Sequence, residues 1–273
     1  MSIQNCNEFS CSKGSHKASS RVILITGAAT GIGAALAEYY AQPGVILALL
    51  ARKEGDLLST SAQCRAKGAV VYEYFADVTN IDAMRRCAAD LLDREEKVDI
   101  VIANAGIRKE EDMDCQDTKI PEDVMRVNYL GVINTFSPFI RAMKARKQGR
   151  LVIISSIAAF RGTPNSGAYS ASKAAVNVWA ESLRLRLIPY GVGLTTICLG
   201  FVNTVMTEDL PFWMPGILST KKAAELIAGS IEKRARVVTL PWQSRFIWTI
   251  FRVLPGRLYD KLITFAKSHG PKR

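Results

Sequence analysis

Tyr169 and Lys173 stand four residues apart in Tyr169-Ser170-Ala171-Ser172-Lys173, and Ser156 lies thirteen residues before the tyrosine. A phenol is a poor acid or base near neutral pH, so a tyrosine that moves protons needs a neighbouring cation to stabilise its phenolate. Positions i and i+4 of a helix share one face, one turn apart, and there a lysine ammonium can sit beside the phenol oxygen. The spacing points to general acid–base chemistry.

The elements that must position these groups alternate along the chain. Arg21 to Thr26 reads as a buried strand, followed by a glycine-punctuated turn and a helix from about Ile32 to Gln42. Further strands are expected at Val45 to Leu50, Val70 to Phe75, Val98 to Ile102, Arg150 to Ile154 and Gly193 to Cys198. Amphipathic segments separate them: Glu54 to Lys67, Ile81 to Arg94, a long helix from about Pro121 to Lys147, and Gly167 to Ile188. Strands this uniformly apolar belong in a parallel sheet covered on both faces. The expected fold is therefore α/β, a doubly wound, Rossmann-like parallel sheet, and in such sheets ligands sit beyond the carboxyl ends of the strands.

At 273 residues the chain can bury a substantial core, and between 21 and 241 nothing resembles a linker. Three segments are expected: a disordered polar tail over 1–20, a catalytic domain over 21–241 and a C-terminal extension over 242–273. No export signal follows the start methionine and no run of about 18 uncharged apolar residues occurs, which fits a cytoplasmic protein. The six cysteines have no regular spacing and read as reduced thiols. Cys6, Cys11 and His16 make an incomplete ligand set, so no metal is expected. The net charge of +11 is local: from Lys233 to Arg273 there are ten Lys and Arg against the single Asp260, leaving 26 basic and 24 acidic residues elsewhere. That tail carries apolar residues where a phosphate-tracking surface would be polar, and no nucleic-acid partner is expected.

Thr26-Gly27-Ala28-Ala29-Thr30-Gly31-Ile32-Gly33 falls between the first strand and the first helix, where backbone amides and the positive helix end can receive a pyrophosphate. Its spacing is Gly-x-x-x-Gly-x-Gly. At this point the chain resembles the short-chain dehydrogenase/reductase family of the single-domain Tyr-x-x-x-Lys type. The likeness recurs in order at Asp77, Asn104-Ala105-Gly106, Asn128, Ser156, Tyr169, Lys173 and Leu199-Gly200-Phe201-Val202-Asn203-Thr204. It departs in two places, Leu199 standing for a proline and Ala103 for the first residue of Asn-Asn-Ala-Gly.

The resemblance implies an oxidoreductase that transfers hydride between a nicotinamide dinucleotide and a carbonyl or secondary alcohol. Tyr169 would be the proton donor or acceptor, with Ser156 on the same substrate oxygen. Ser156 fits the family interval better than Ser155, which would help position the loop. Lys173 would lower the phenol's pKa and hold the nicotinamide ribose, and Asn128 would anchor a water chain that resupplies the proton. The dinucleotide would lie along Gly27, Thr30, Gly31, Ile32, Gly33, Arg52, Asp77, Val78, Asn104, Ala105, Gly106, Tyr169, Lys173, Gly200, Val202 and Thr204. At the end of the second strand, Ala51 occupies the family's acidic position and Arg52 follows; a guanidinium suits a 2′-phosphate, so NADP(H) is expected over NAD(H).

Substrate choice should come from the loops 157–168 and 201–219, the second carrying Met206, Leu210, Phe212, Trp213 and Met214. These favour a small, apolar substrate. Phe246 to Leu254 should form an apolar helix, and after Pro255-Gly256 a second segment sets Leu258, Tyr259, Leu262, Ile263 and Phe265 against Lys261 and Lys267. Such faces suit a cap over the site, packing in a homo-dimer or homo-tetramer, or peripheral contact with a membrane. A cofactor-binding regulator without turnover is the rival class, but it has no need of Asn128, Ser156, Tyr169 and Lys173 together.

Overall fold

The computed structural model describes residues 20–111, 114, 116, 118–208, 216–243, 250 and 253–269. The expected tail with Cys6, Cys11 and His16, most of the apolar lid and most of the helix from Phe246 to Leu254 lie outside them. Seven parallel strands form one sheet in the order β3-β2-β1-β4-β5-β6-β7. They are β1 (Arg21–Thr26), β2 (Val45–Ala51), β3 (Val70–Phe75), β4 (Ile100–Ala103), β5 (Arg150–Ser156), β6 (Gly193–Leu199) and β7 (Val237–Leu240).

The apolar strands are explained by what covers them. Ile23 and Ile25 face one core with Leu36 and Ala37 of α1 (Gly31–Tyr40), Leu57 of α2 (Glu54–Ala66) and Ile227 of α8 (Thr220–Glu232). Val22 and Leu24 alternate to the other core, with Leu91 of α3 (Ile81–Glu95), Phe136 and Phe139 of α5 (Gly131–Arg146) and Val176 of α6 (Gly167–Leu187). Because side chains alternate across a strand, a sheet buried on both faces needs apolar residues at every position. β1 pairs with β2 on one side and β4 on the other, so the chain reverses direction of winding there and opens a crevice at the carboxyl edge.

The long helix expected over 121–147 is broken. It consists of α4 (Lys119–Met125), a π-turn (Arg126–Leu130) and α5, and the Gly131 N–H bonds to the Arg126 carbonyl, five residues back. The widened turn holds Asn128 fully buried. Helix α8, β7, the short helix α7 (Val205–Glu208) and the 3-10 turn Ile157–Phe160 were not among the expected elements. No helix among the described residues is long and apolar enough to cross a membrane.

The last helix, α9 (Gly256–His269), is fastened to the turn after β5. The Arg161 guanidinium donates to the Leu254 carbonyl (2.7 Å) and lies over the Tyr259 ring (4.5 Å), whose hydroxyl donates to the Gly162 carbonyl (2.6 Å).

Candidate active site

A cleft of about 750 Å³ runs along the carboxyl edge of the sheet. One end is the loop between β1 and α1. Gly27 (φ +66°) and Gly31 (φ +59°) adopt left-handed backbone that side chains disfavour. Gly33 is required by contact, since a Cβ there would stand 2.0 Å from the Gly27 carbonyl oxygen. Thr26 and Asn104 lock this loop to β4: the Thr26 hydroxyl accepts from the Asn104 and Ala105 N–H groups, and Asn104 Nδ2 donates to the Thr26 and Gly27 carbonyls.

The start of α1 carries no side-chain cap and no acidic residue in its first turn. Its amides and positive helix end therefore face the cleft without a competing anion, which suits a pyrophosphate. Gly33→Ala should cost about 1–3 kcal/mol by overpacking and weaken dinucleotide binding, read by thermal denaturation and by titration with NADPH.

Arg52 and Asp77 meet where β2 and β3 end, with Arg52 Nη1 3.9 Å from Asp77 Oδ2 and the arginine side chain 63% exposed. Asp77 Oδ1 accepts from the Thr79 N–H, and the Val78 carbonyl accepts from Asn134. Lys53 lines the cleft next to Arg52, and only its charge marks it in the sequence.

Further along the cleft stand Tyr169, Lys173, Ser156 and Gly106; Gly200, Val202 and Thr204 also line it, Thr204 lying beside Gly31 of the glycine loop. Ser156 closes β5, with its Oγ accepting from the Ala158 N–H, and Tyr169 sits in the first turn of α6; both side chains line the same part of the cleft. Of the two serines, Ser156 is the one that acts on the phenol; Ser155 is buried opposite Cys198 of β6. Burial pushes the phenol above its usual range, while the Ser156 hydrogen bond and the Arg108 charge pull it down.

Lys173 is 5% exposed, its Nζ donates to the Ile154 carbonyl (2.9 Å) and lies 5.8 Å from the centroid of the Tyr169 ring. Burial pulls its ammonium down to about 8, partly opposed by the neighbouring Cys198 side chain. Asn128 stands behind the cleft. Its Nδ2 donates to the Ile107 carbonyl and to Ser172 Oγ, and its Oδ1 accepts from the Ile107 N–H. A Cβ on Gly106 would sit 3.2 Å from Asn128 Oδ1 and 3.5 Å from Lys173 Nζ, so a larger residue there would crowd both.

All the residues expected to hold a dinucleotide line this cleft except Gly33, which packs beneath it. Arg108 and Ile107 also line it and were not anticipated. Met206 is described, 40% exposed at the cleft; Leu210, Phe212, Trp213 and Met214 fall outside the described residues.

Residues 21–214 match the short-chain dehydrogenase family. An oxidoreductase of Myxococcus xanthus is 36% identical over 242 residues, covering 88% of this chain and 95% of the relative. A short-chain dehydrogenase/reductase of Burkholderia phymatum, solved in complex with NAD, superposes with a TM-score of 0.77 at 27% identity, covering 85% of this chain and 92% of its own. An alcohol dehydrogenase of the archaeon Thermococcus sibiricus, complexed with 5-hydroxy-NADP, gives 0.74 at 26% identity, covering 81% and 96%. The chain belongs to the short-chain dehydrogenase family and is a nicotinamide-dependent oxidoreductase acting between alcohol and carbonyl groups.

Proposed function

We propose that this short-chain dehydrogenase reduces an apolar ketone or aldehyde, or oxidises the matching secondary alcohol, using NADP(H), with Tyr169 as general acid and base. The observation that carries the reading is the meeting of Tyr169, Ser156 and Lys173 at one end of a cleft whose other end is an uncapped helix terminus.

A bound nicotinamide supplies or accepts the hydride. In the reducing direction Tyr169 gives its phenolic proton to the substrate oxygen, and in the oxidising direction it takes that proton back. Ser156 hydrogen-bonds the same oxygen as its charge develops. Lys173 would keep the phenolate accessible and would hold the ribose of the bound dinucleotide. Asn128 holds Ile107 and Ser172 in place and would anchor the water chain that returns the proton to Lys173. Screening apolar ketones, aldehydes and alcohols for a change in NADPH absorbance tests the reaction. Turnover of none of them by a cofactor-loaded enzyme would favour the regulatory reading instead.

The basic pair Arg52 and Lys53 supports NADP(H). In this reading Arg52 exchanges its long contact with Asp77 for the 2′-phosphate. Arg52→Gln should lower NADPH affinity about tenfold or more, since charge-assisted hydrogen bonds contribute about 1.5–3 kcal/mol, and leave NADH binding nearly unchanged. Equal losses for both dinucleotides would count against the assignment.

The domain proposed over 21–241 carries the reaction, and the extension over 242–273 acts as a cap. The Arg161 and Tyr259 clasp supports that role, because it ties α9 to the turn that follows Ser156. Leu258 and Leu262 remain about half exposed beside Arg257 and Lys261, which supports a second reading in which α9 meets a membrane surface or another copy in a homo-dimer or homo-tetramer. Cosedimentation with anionic liposomes, compared with a truncation before Trp242, separates these. If both forms stay in solution, the membrane reading fails.

A further inference from the structure

The loop that follows β4 does more than border the cleft. Asn128 fastens Ile107 by two hydrogen bonds, and the next residue, Arg108, turns into the wall shared with Tyr169 and Ser156. The Arg108 side chain is only 15% exposed. Its Nε donates to Ser166 Oγ (3.1 Å), the residue immediately before α6, so the guanidinium is tethered to the turn from which Tyr169 projects. Its other contact is a long one, Nη2 to Glu110 Oε1 at 3.4 Å, and the Glu110 side chain is 60% exposed. A solvated carboxylate at that distance screens the arginine weakly.

Lys173 is placed differently. Its ammonium is committed to the Ile154 carbonyl, and it gives up its proton in a pH range in which a guanidinium keeps its own. We propose that Arg108, tethered to Ser166 at the start of the tyrosine's helix, supplies the permanent positive charge that stabilises the Tyr169 phenolate. This makes Arg108 a positioning residue, and it rests on the proton-transfer reading of Tyr169.

Among the described residues, four polar groups bear on the phenol or on the turn that carries it. Ser156 comes from β5, Lys173 from the tyrosine's own helix, and Arg108 and Glu111 from the loop after β4. The Glu111 carboxylate accepts the Ala168 N–H, one residue before the tyrosine, and so caps α6. Cys198 of β6 faces Lys173 and stays a thiol, pushed up to about 11 by burial. Among these, Arg108 is the cation whose charge draws the half-buried phenol back toward its ordinary range.

The test needs no substrate. Phenolate absorbs in the near ultraviolet, and subtracting the titration of Tyr169→Phe from that of the parent isolates this one tyrosine. The subtraction is made in three backgrounds: wild type, Arg108→Gln and Arg108→Lys, with circular dichroism following the fold at each pH. Loss of a nearby opposite charge should move the Tyr169 midpoint up by at least about one pH unit in Arg108→Gln. Arg108→Lys should fall between, because a lysine there loses its charge in the alkaline range. Coincident titrations in all three backgrounds would overturn the proposal, as would a wild-type phenol that stays protonated until the chain unfolds. Failure of the proton-transfer reading is seen elsewhere, as undiminished turnover by Tyr169→Phe, so the two outcomes are told apart.

Discussion

Tyr169→Phe is expected to bind NADPH as the wild type does and to lose about 10²–10⁴-fold in kcat, the usual contribution of a positioned general acid. The substitution removes one oxygen. The ring keeps its place in the first turn of α6, and the glycine loop, the uncapped end of α1 and the Arg52 side chain that would bind the dinucleotide are untouched. Stability should change little, because a half-buried hydroxyl whose ionisation is opposed by desolvation is replaced by an apolar edge. The signature is thus a fall in kcat with KM for the cofactor and thermal midpoint both near wild type. A parallel loss of cofactor binding and thermal stability would instead mark the tyrosine as structural.

Lys173→Met carries the second large effect. In the proposed reading this ammonium would bond the cofactor's ribose, so its removal should weaken NADPH binding about ten- to hundredfold and lower kcat as well, since the phenolate loses a neighbouring cation. The fold should survive. A buried lysine is itself costly, and an unbranched apolar side chain of similar length relieves that cost while leaving the Ile154 carbonyl without its donor.

The pH dependence of stability separates the two effects. The Lys173 pKa is about 8 in the folded chain against an ordinary value of 10.5, so between those limits the unfolded chain binds the extra proton. Stability contributed by this group therefore rises as pH goes from about 8 to 10.5, and in Lys173→Met that rise should be missing. Urea unfolding across this range measures it. Identical slopes in the two proteins would mean that Lys173 is not held buried as described.

Why the site was legible is clear from its residues. Gly27, Gly31 and Gly33 are dictated by backbone conformation and contact, and Ser156, Tyr169 and Lys173 are carried by one strand and one helix whose periodicity fixes their faces. The first six strands are near-continuous apolar runs, so burial on both faces reveals them directly. β7 has only four residues, as β4 does, but where β4 is buried throughout the first position of β7, Val237, is largely exposed, which leaves little pattern to read.

Other features depend on partners far along the chain. Arg108 in Arg108-Lys109-Glu110-Glu111 reads as part of a solvated loop, and nothing in its spacing announces Ser166, 58 residues on. The π-turn at Asn128 keeps the apolar rhythm of the helices around it, so a single continuous helix was the natural expectation; the widened turn reveals itself only in the bond from Gly131 to Arg126. The i, i+4 spacing put Lys173 and Tyr169 on one face correctly but could not show that the ammonium is bonded to Ile154. An unpaired charge in the interior is too costly to leave, and the nearest carbonyl takes it.

The central claim is a hydride transfer in which Tyr169 moves the proton, and one labelling measurement tests both halves. NADPH carrying deuterium at the transferable nicotinamide position is incubated with the enzyme and a panel of apolar ketones and aldehydes, and the alcohol products are examined by mass spectrometry. The wild type should place one deuterium on the new carbinol carbon of at least one substrate, and Tyr169→Phe, loaded with the same cofactor, should form that product at least about a hundredfold more slowly. Deuterium transfer by Tyr169→Phe at the wild-type rate, or no transfer by a wild type that binds NADPH, would contradict it.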